Sequence, residues 1–85
     1  MLTLQLRFFA RVREELDCAA LELPWQAELA TLDELQHALA QRGEAWRRVL
    51  AQDNLIRAVN HTVADGDTAL QPGDEIAFYP PVTGG

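Results

Sequence analysis

Lysine is absent from this chain of 85 residues, and all seven of its basic side chains are arginine. The chain therefore cannot build lysine-linked polymers of itself. Cysteine occurs once, at Cys18, which excludes an intrachain disulfide and a thiolate cluster for zinc. No apolar run approaches the roughly 20 residues that span a bilayer. The N-terminus lacks the pattern of a signal peptide, because Gln5 and Arg7 interrupt its apolar stretch and no basic segment precedes it. These absences fit a reducing cytoplasm and give no role to a membrane. A basic stripe is missing too. Arg7, Arg11 and Arg13 are followed at once by Glu14, Glu15 and Asp17, and the net charge is -6. Such a domain is repelled at every phosphate it approaches, so nucleic acid is not its expected partner, and a basic protein surface fits better.

What is present is the composition of one small globular domain. Apolar residues make up 48% and charged residues 24%, enough for a single modest core but not for a deep enzyme cleft as well. From Leu2 to Phe9, Leu2, Leu4, Leu6 and Phe8 alternate with Thr3, Gln5, Arg7 and Phe9, the pattern of a strand with one buried face. Ala10 to Leu16 suits a short helix with Val12 and Leu16 on one side. Cys18 to Leu23 alternates more weakly and stops at Pro24.

Thr31 followed by Glu34 forms a capping box ahead of Leu32, Leu35 and Leu39, which share one stripe. Arg42 and Gly43 read as that helix's end. Glu44 to Ala51 suits a second short helix, Asp53-Asn54 a turn, and Leu55 to Val63 a strand-like stretch with Asn60 and His61 in its middle. After a turn signal at Asp65-Gly66, Gln71-Pro72-Gly73-Asp74 predicts a tight turn with glycine at positive φ. Glu75 to Tyr79 is the last strand. The order is strand, strand, helix, strand, strand, an α+β domain with a mixed sheet packed on a helix, over residues 1–79.

Residues 80–85 form an expected flexible tail. Pro80-Pro81 cannot donate ladder hydrogen bonds and stiffens the chain, and Val82, Thr83, Gly84 and Gly85 follow. Extended, six residues reach about 20 Å. Two glycines leave no side chain near the terminal carboxylate, so a narrow tunnel can admit it and a nucleotide phosphate can approach closely. A carboxylate is a poor electrophile; joined to AMP it is an activated acyl group that a sulfur nucleophile can convert to a thiocarboxylate. Many unrelated chains also end in glycine and simply fray there.

Phe9 and Tyr79 supply the second signal. Both stand at the C-terminal ends of their strands, on the face opposite the core residues. If the first and last strands are parallel neighbours, the rings meet at the root of the tail as a docking patch; the alternative is a minor core under a loop. Cys18 suits a small buried residue. His37 and His61 lack the neighbours of a metal site. Asp33-Glu34 fit helix capping, and Asp65, Asp67, Asp74 and Glu75 a solvated acidic rim.

Four segments together carry a resemblance: LRFFARVRE at 6–14, the capped helix from Thr31, RAVNHT at 57–62 and LQPGDEIAFYPPVTGG at 70–85. The chain resembles the MoaD family of ubiquitin-like sulfur carriers, the small subunits of molybdopterin synthase. The resemblance implies a β-grasp fold with parallel first and last strands. It implies that an activating enzyme uses ATP to adenylate Gly85, that a sulfur donor protein replaces AMP to leave a thiocarboxylate, and that the tail enters a large synthase subunit. There the sulfur passes to cyclic pyranopterin monophosphate, and two transfers build the dithiolene of molybdopterin. It further implies a heterotetramer of two small and two large subunits, with the catalytic pocket on the large one and no cofactor bound by this chain. Gly85 and Gly84 are then the expected reactive site, and Phe9, Tyr79, Pro80, Pro81, Val82 and Thr83 the expected partner contacts. A carrier for another pathway such as thiamine synthesis, a ubiquitin-like protein modifier and a plain binding module remain as alternatives.

Overall fold

Leu4, Leu6 and Phe8 turn to one side of the first strand, β1 (Thr3–Phe8), and are almost wholly buried. The computed structural model describes residues 2–52 and 54–80. After Phe8 the chain turns sharply into α1 (Ala10–Leu16), which buries Val12 and Leu16. Ala10 sits at φ 52, a left-handed conformation that costs a residue with a Cβ about 1 kcal/mol. Asp17 closes the helix in the same region at φ 52, its N–H donating to the carbonyls of Arg13 and Glu14. The returning strand β2 (Ala20–Pro24) pairs antiparallel with β1, Leu21 and Leu23 lying opposite Leu6 and Leu4.

The next helix, α2 (Leu32–Ala40), starts where its capping box predicts. The Glu34 N–H donates to Thr31 Oγ1 at 3.2 Å, and the Thr31 N–H donates to Glu34 Oε1 at 3.1 Å. Leu32, Leu35 and Leu39 are buried at 0%, 0% and 1% exposure, so the apolar stripe is the helix's core face. Thr31→Ala should lower stability by about 1 kcal/mol, because the N-terminal amides of α2 lose their acceptor. A denaturant midpoint that falls at unchanged slope is the expected observation.

The end of α2 differs from the sequence expectation. The helix stops at Ala40, and its cap residue Gln41 stays right-handed at φ −81. Gly43 does not adopt the left-handed stop conformation; it lies at φ 164 and opens α3 (Glu44–Leu50). The two helices follow so closely that one glycine serves the second helix's start rather than the first helix's end.

The stretch from Leu55 to Val63 is a hairpin rather than one strand. β3 (Ile56–Val59) and β4 (Thr62–Val63) are joined by Asn60 and His61, at φ 50 and 71. Two successive left-handed residues form the turn whose twist suits a two-residue hairpin. Asn60 is held by the strand that follows later. Its N–H donates to the Glu75 carbonyl at 2.7 Å, its Nδ2 to Asp74 Oδ1 at 2.9 Å, and its Oδ1 accepts the Glu75 N–H at 3.0 Å. Gly73 takes the expected positive φ, 92, in the turn before β5 (Glu75–Tyr79), and the Asp74 N–H closes that turn on the Gln71 carbonyl at 3.1 Å.

The sheet order is β2-β1-β5-β3-β4. Among the described strands only β1 and β5 run parallel, and they lie side by side in its interior. The main core fills one face, where Phe8 and Phe78 stack at 5.6 Å and Trp46 of α3 meets Phe8 edge-on at 5.4 Å. This is the ubiquitin-like β-grasp architecture. Among the described residues no helix is long and apolar enough to cross a membrane.

Candidate functional site: the sheet face at the root of the tail

Parallel pairing of β1 with β5 puts Phe8 beside Phe78, and the ladder carries one residue further through a hydrogen bond from the Phe9 N–H to the Phe78 carbonyl at 3.2 Å. Phe9 and Tyr79 are therefore neighbours on the opposite face from the core pair. Their rings stack with centroids 4.7 Å apart and planes 6° from parallel. Phe9 is 37% exposed, and Tyr79 and Pro80 are half-buried. The meeting of the two aromatics rests on sequence parity together with the parallel register.

The surroundings of the pair are less polar than the β1 sequence implied. Thr3 and Gln5 occupy the far part of this face and the exposed Arg7 lies beside Ala77, but pairing brings Ile56 beside Tyr79 and Ala58 beside Ala77. Val63, opposite Ala58, is 74% exposed on the same side. The open face thus holds an apolar strip running across β1, β5, β3 and β4. Sequence reasoning missed Ile56 and Val63. The signal available was the turn tendency of Asn60, which would have divided the stretch into two paired strands and set their parity.

Pro80 leads away from the end of β5 beside this strip. The expected roles of Pro81, Val82, Thr83, Gly84 and Gly85 fall outside the described residues.

Cys18 precedes β2, half-buried against the core, and its Sγ donates to the Ala20 carbonyl at 3.3 Å. On the sulfur-carrier expectation, Cys18→Ala should keep sulfur transfer and lose about 1 kcal/mol of stability. A folded variant that no longer accepts sulfur would move the reactive group to this thiol. His37 is exposed on α2, and His61 Nε2 stands 3.6 Å from Glu75 Oε2 in the hairpin turn. No group of three or more metal-ligating side chains lies together among the described residues.

Asp33 does more than favour the start of its helix. Its Oδ1 accepts from Arg57 Nη1 at 2.9 Å, and the same Nη1 donates to Gln36 Oε1 at 2.8 Å. Gln36 Nε2 in turn donates to the Leu50 carbonyl at 2.6 Å, tying β3, α2 and the end of α3 together. Arg57 enters this network from the core face of β3, a position legible only once the strand register is known.

Comparison with known proteins covers the whole of this arrangement. The ThiS family model matches residues 6–85. The molybdopterin synthase sulfur carrier subunit of Haemophilus influenzae is 40% identical over 82 residues, covering 96% of this chain and 99% of that one. That of Escherichia coli is 41% identical over 78 residues, with 92% and 94% coverage. Among solved structures, SAMP1 from Haloferax volcanii aligns at TM-score 0.81 and 26% identity over 98% of this chain and 99% of that one. A protein–protein complex of subunits 1 and 2 of molybdopterin-converting factor from Helicobacter pylori contains a chain aligning at TM-score 0.67 and 28% identity, with 98% and 99% coverage. With the match running over residues 6–85, the chain belongs to the ThiS family.

Proposed function

We propose that this chain is the sulfur carrier subunit of a molybdopterin synthase, working through the carboxylate of Gly85. The observation that carries the reading is the near-complete alignment, at 40% identity, with a curated sulfur carrier subunit. The ThiS match reaching residue 85 supports placing the chemistry at the tail. In the proposed cycle the Gly85 carboxylate attacks the α-phosphate of ATP on a separate activating enzyme, releasing pyrophosphate and leaving an acyl-adenylate. The terminal sulfur of a persulfide on a donor protein attacks the acyl carbon and AMP departs, leaving an acyl disulfide; a thiol then attacks the donor's sulfur, forming a disulfide with the donor and releasing the thiocarboxylate. Gly84 and Gly85 carry no side chain to obstruct either enzyme.

The loaded tail then enters the large synthase subunit, and sulfur passes to cyclic pyranopterin monophosphate. Phe9, Tyr79 and Pro80 dock at the mouth of that subunit's pocket, while Pro81, Val82 and Thr83 line the way in. A complex of two small and two large subunits, in the cytoplasm, completes the reading. A solved complex of the two subunits of a related molybdopterin-converting factor supports a large-subunit partner.

The test is intact-mass spectrometry after incubation with ATP, an activating enzyme and a sulfur donor. The expected species is heavier by the difference between one sulfur and one oxygen, located in the C-terminal fragment. An unchanged mass with all three present rejects the carrier reading. An amide to a lysine of another protein, found instead, identifies a protein modifier.

A further inference from the structure

The outer edge of β2 carries a second surface, on the side of the sheet where α2 packs. Within the antiparallel pair, the Phe8 N–H donates to the Ala19 carbonyl and the Trp25 N–H to the Leu2 carbonyl, each at 2.9 Å. Alternation from these two bonds turns the backbone groups of Leu21 and Leu23 toward β1 and those of Ala20, Glu22 and Pro24 away from it. Among the described strands β2 is the end of the sheet. Its free edge therefore offers the N–H groups of Ala20 and Glu22 and the carbonyls of Glu22 and Pro24. The Ala20 carbonyl already accepts from Cys18 Sγ. Pro24 has no N–H, so it limits how far an added ladder can run.

An apolar groove lies between this edge and α2. One depression of about 190 Å³ has Leu23, Ala38 and Leu39 in its lining and Arg42 among its polar residues. A second, of about 440 Å³, shares Leu29 and Ala38 with it and includes Glu28 and Glu34. Free strand hydrogen-bonding groups beside a groove that can take alternate side chains are the two requirements for binding an extended peptide as an added strand.

We propose that the β2 edge and this groove together bind an extended, aliphatic and basic segment of another protein, which joins the sheet as a sixth strand. Its inward side chains enter the groove over Leu23 and Leu39. Its outward side chains share the face of Glu22, which is exposed and accepts from Gln5 Nε2 at 2.6 Å. The side chain directly across from Glu22 lies within cross-strand contact, so lysine or arginine there is favoured. A second copy pairing antiparallel about this position brings Glu22 against Glu22 and is disfavoured by the same rule. The net charge of -6 selects in the same direction. Glu22 shares its sheet face with Phe9 and Tyr79, but the hydrogen-bonding edge and the groove do not include either ring, and the proposal stands apart from the sulfur-carrier reading.

The experiment titrates the full chain, labelled with ¹⁵N and with ¹³C in its leucine methyl groups, with a capped heptapeptide alternating valine and lysine, and with its valine–glutamate counterpart. The lysine peptide should shift the Ala20 and Glu22 amides and the Leu23 and Leu39 methyl groups, and slow hydrogen exchange at both amides. Glu22→Arg should weaken its binding about fivefold or more and improve binding of the glutamate peptide. Ala20→Pro, which removes an edge donor and leaves the charge, should also weaken binding; melting curves of both variants establish that they fold. Shifts confined to Phe9 and Tyr79, equal affinity for the two peptides, no shift at millimolar peptide, or self-association of the chain through β2 would each overturn the proposal.

Discussion

Removing Gly85 should abolish sulfur transfer while leaving thermal unfolding unchanged. The two effects separate because the core closes before the tail begins. Phe78, at 0% exposure, is the last residue of the buried cluster, and the β5 ladder ends at Tyr79. The described core is complete by Phe78, whereas the proposed chemistry forms and breaks its bonds at the carboxyl carbon of Gly85. The shortened chain still ends in a glycine carboxylate, on Gly84, but that group is one residue, about 3.5 Å of extended chain, short of the proposed position of the chemistry. Parallel melts and single-turnover sulfur transfer with both chains make the comparison. Retained transfer would refute the placement of the chemistry, and a melting point lower by many degrees would show the terminus to be structural.

Tyr79→Ala should weaken association with the large subunit by roughly 30-fold, the equivalent of about 2 kcal/mol for an aromatic anchor at an interface centre. The mutation also removes the stacking partner of Phe9 across 4.7 Å. The core should register the loss far less, since Phe8 and Phe78 stack on the other side of the same two strands. Titration against the large subunit, with and without the last two residues, separates ring from tail. Pro81→Gly should show the complementary defect, an intact patch with a larger entropy loss on threading. Normal binding by a Tyr79→Ala protein that melts early would assign the ring to the fold instead.

Much of this was legible in the chain because local and tertiary preferences agree. The Thr31–Glu34 capping box needs only four residues to specify itself, and it forms as written. Gly73 follows Pro72 in a turn that leaves it little choice but positive φ. The Phe9–Tyr79 stack was predictable from strand parity, given the parallel pairing that the family resemblance implied. The misreadings arose where two elements compete for one residue or where pairing partners are distant. Gly43 has the chemistry to end a helix, but the immediate start of α3 claims it. Asn60 and His61 lie within an otherwise strand-like stretch, and the hydrogen bonds that fix their turn come from Asp74 and Glu75, more than a dozen residues away. Ile56 and Val63 joined the apolar strip only through that hairpin's register.

The parallel pairing of β1 and β5 has a mechanical consequence. A tail gripped in a partner's tunnel transmits any pull along the axis of β5, the middle strand of the sheet. The hydrogen bonds to β1 on one side and β3 on the other then lie across the direction of force and are loaded together in shear. They cannot be peeled apart one at a time, as an edge hairpin would be. In the proposed cycle, where the carrier is drawn out of one enzyme and inserted into another, the pull falls on the strand least easily torn from the sheet.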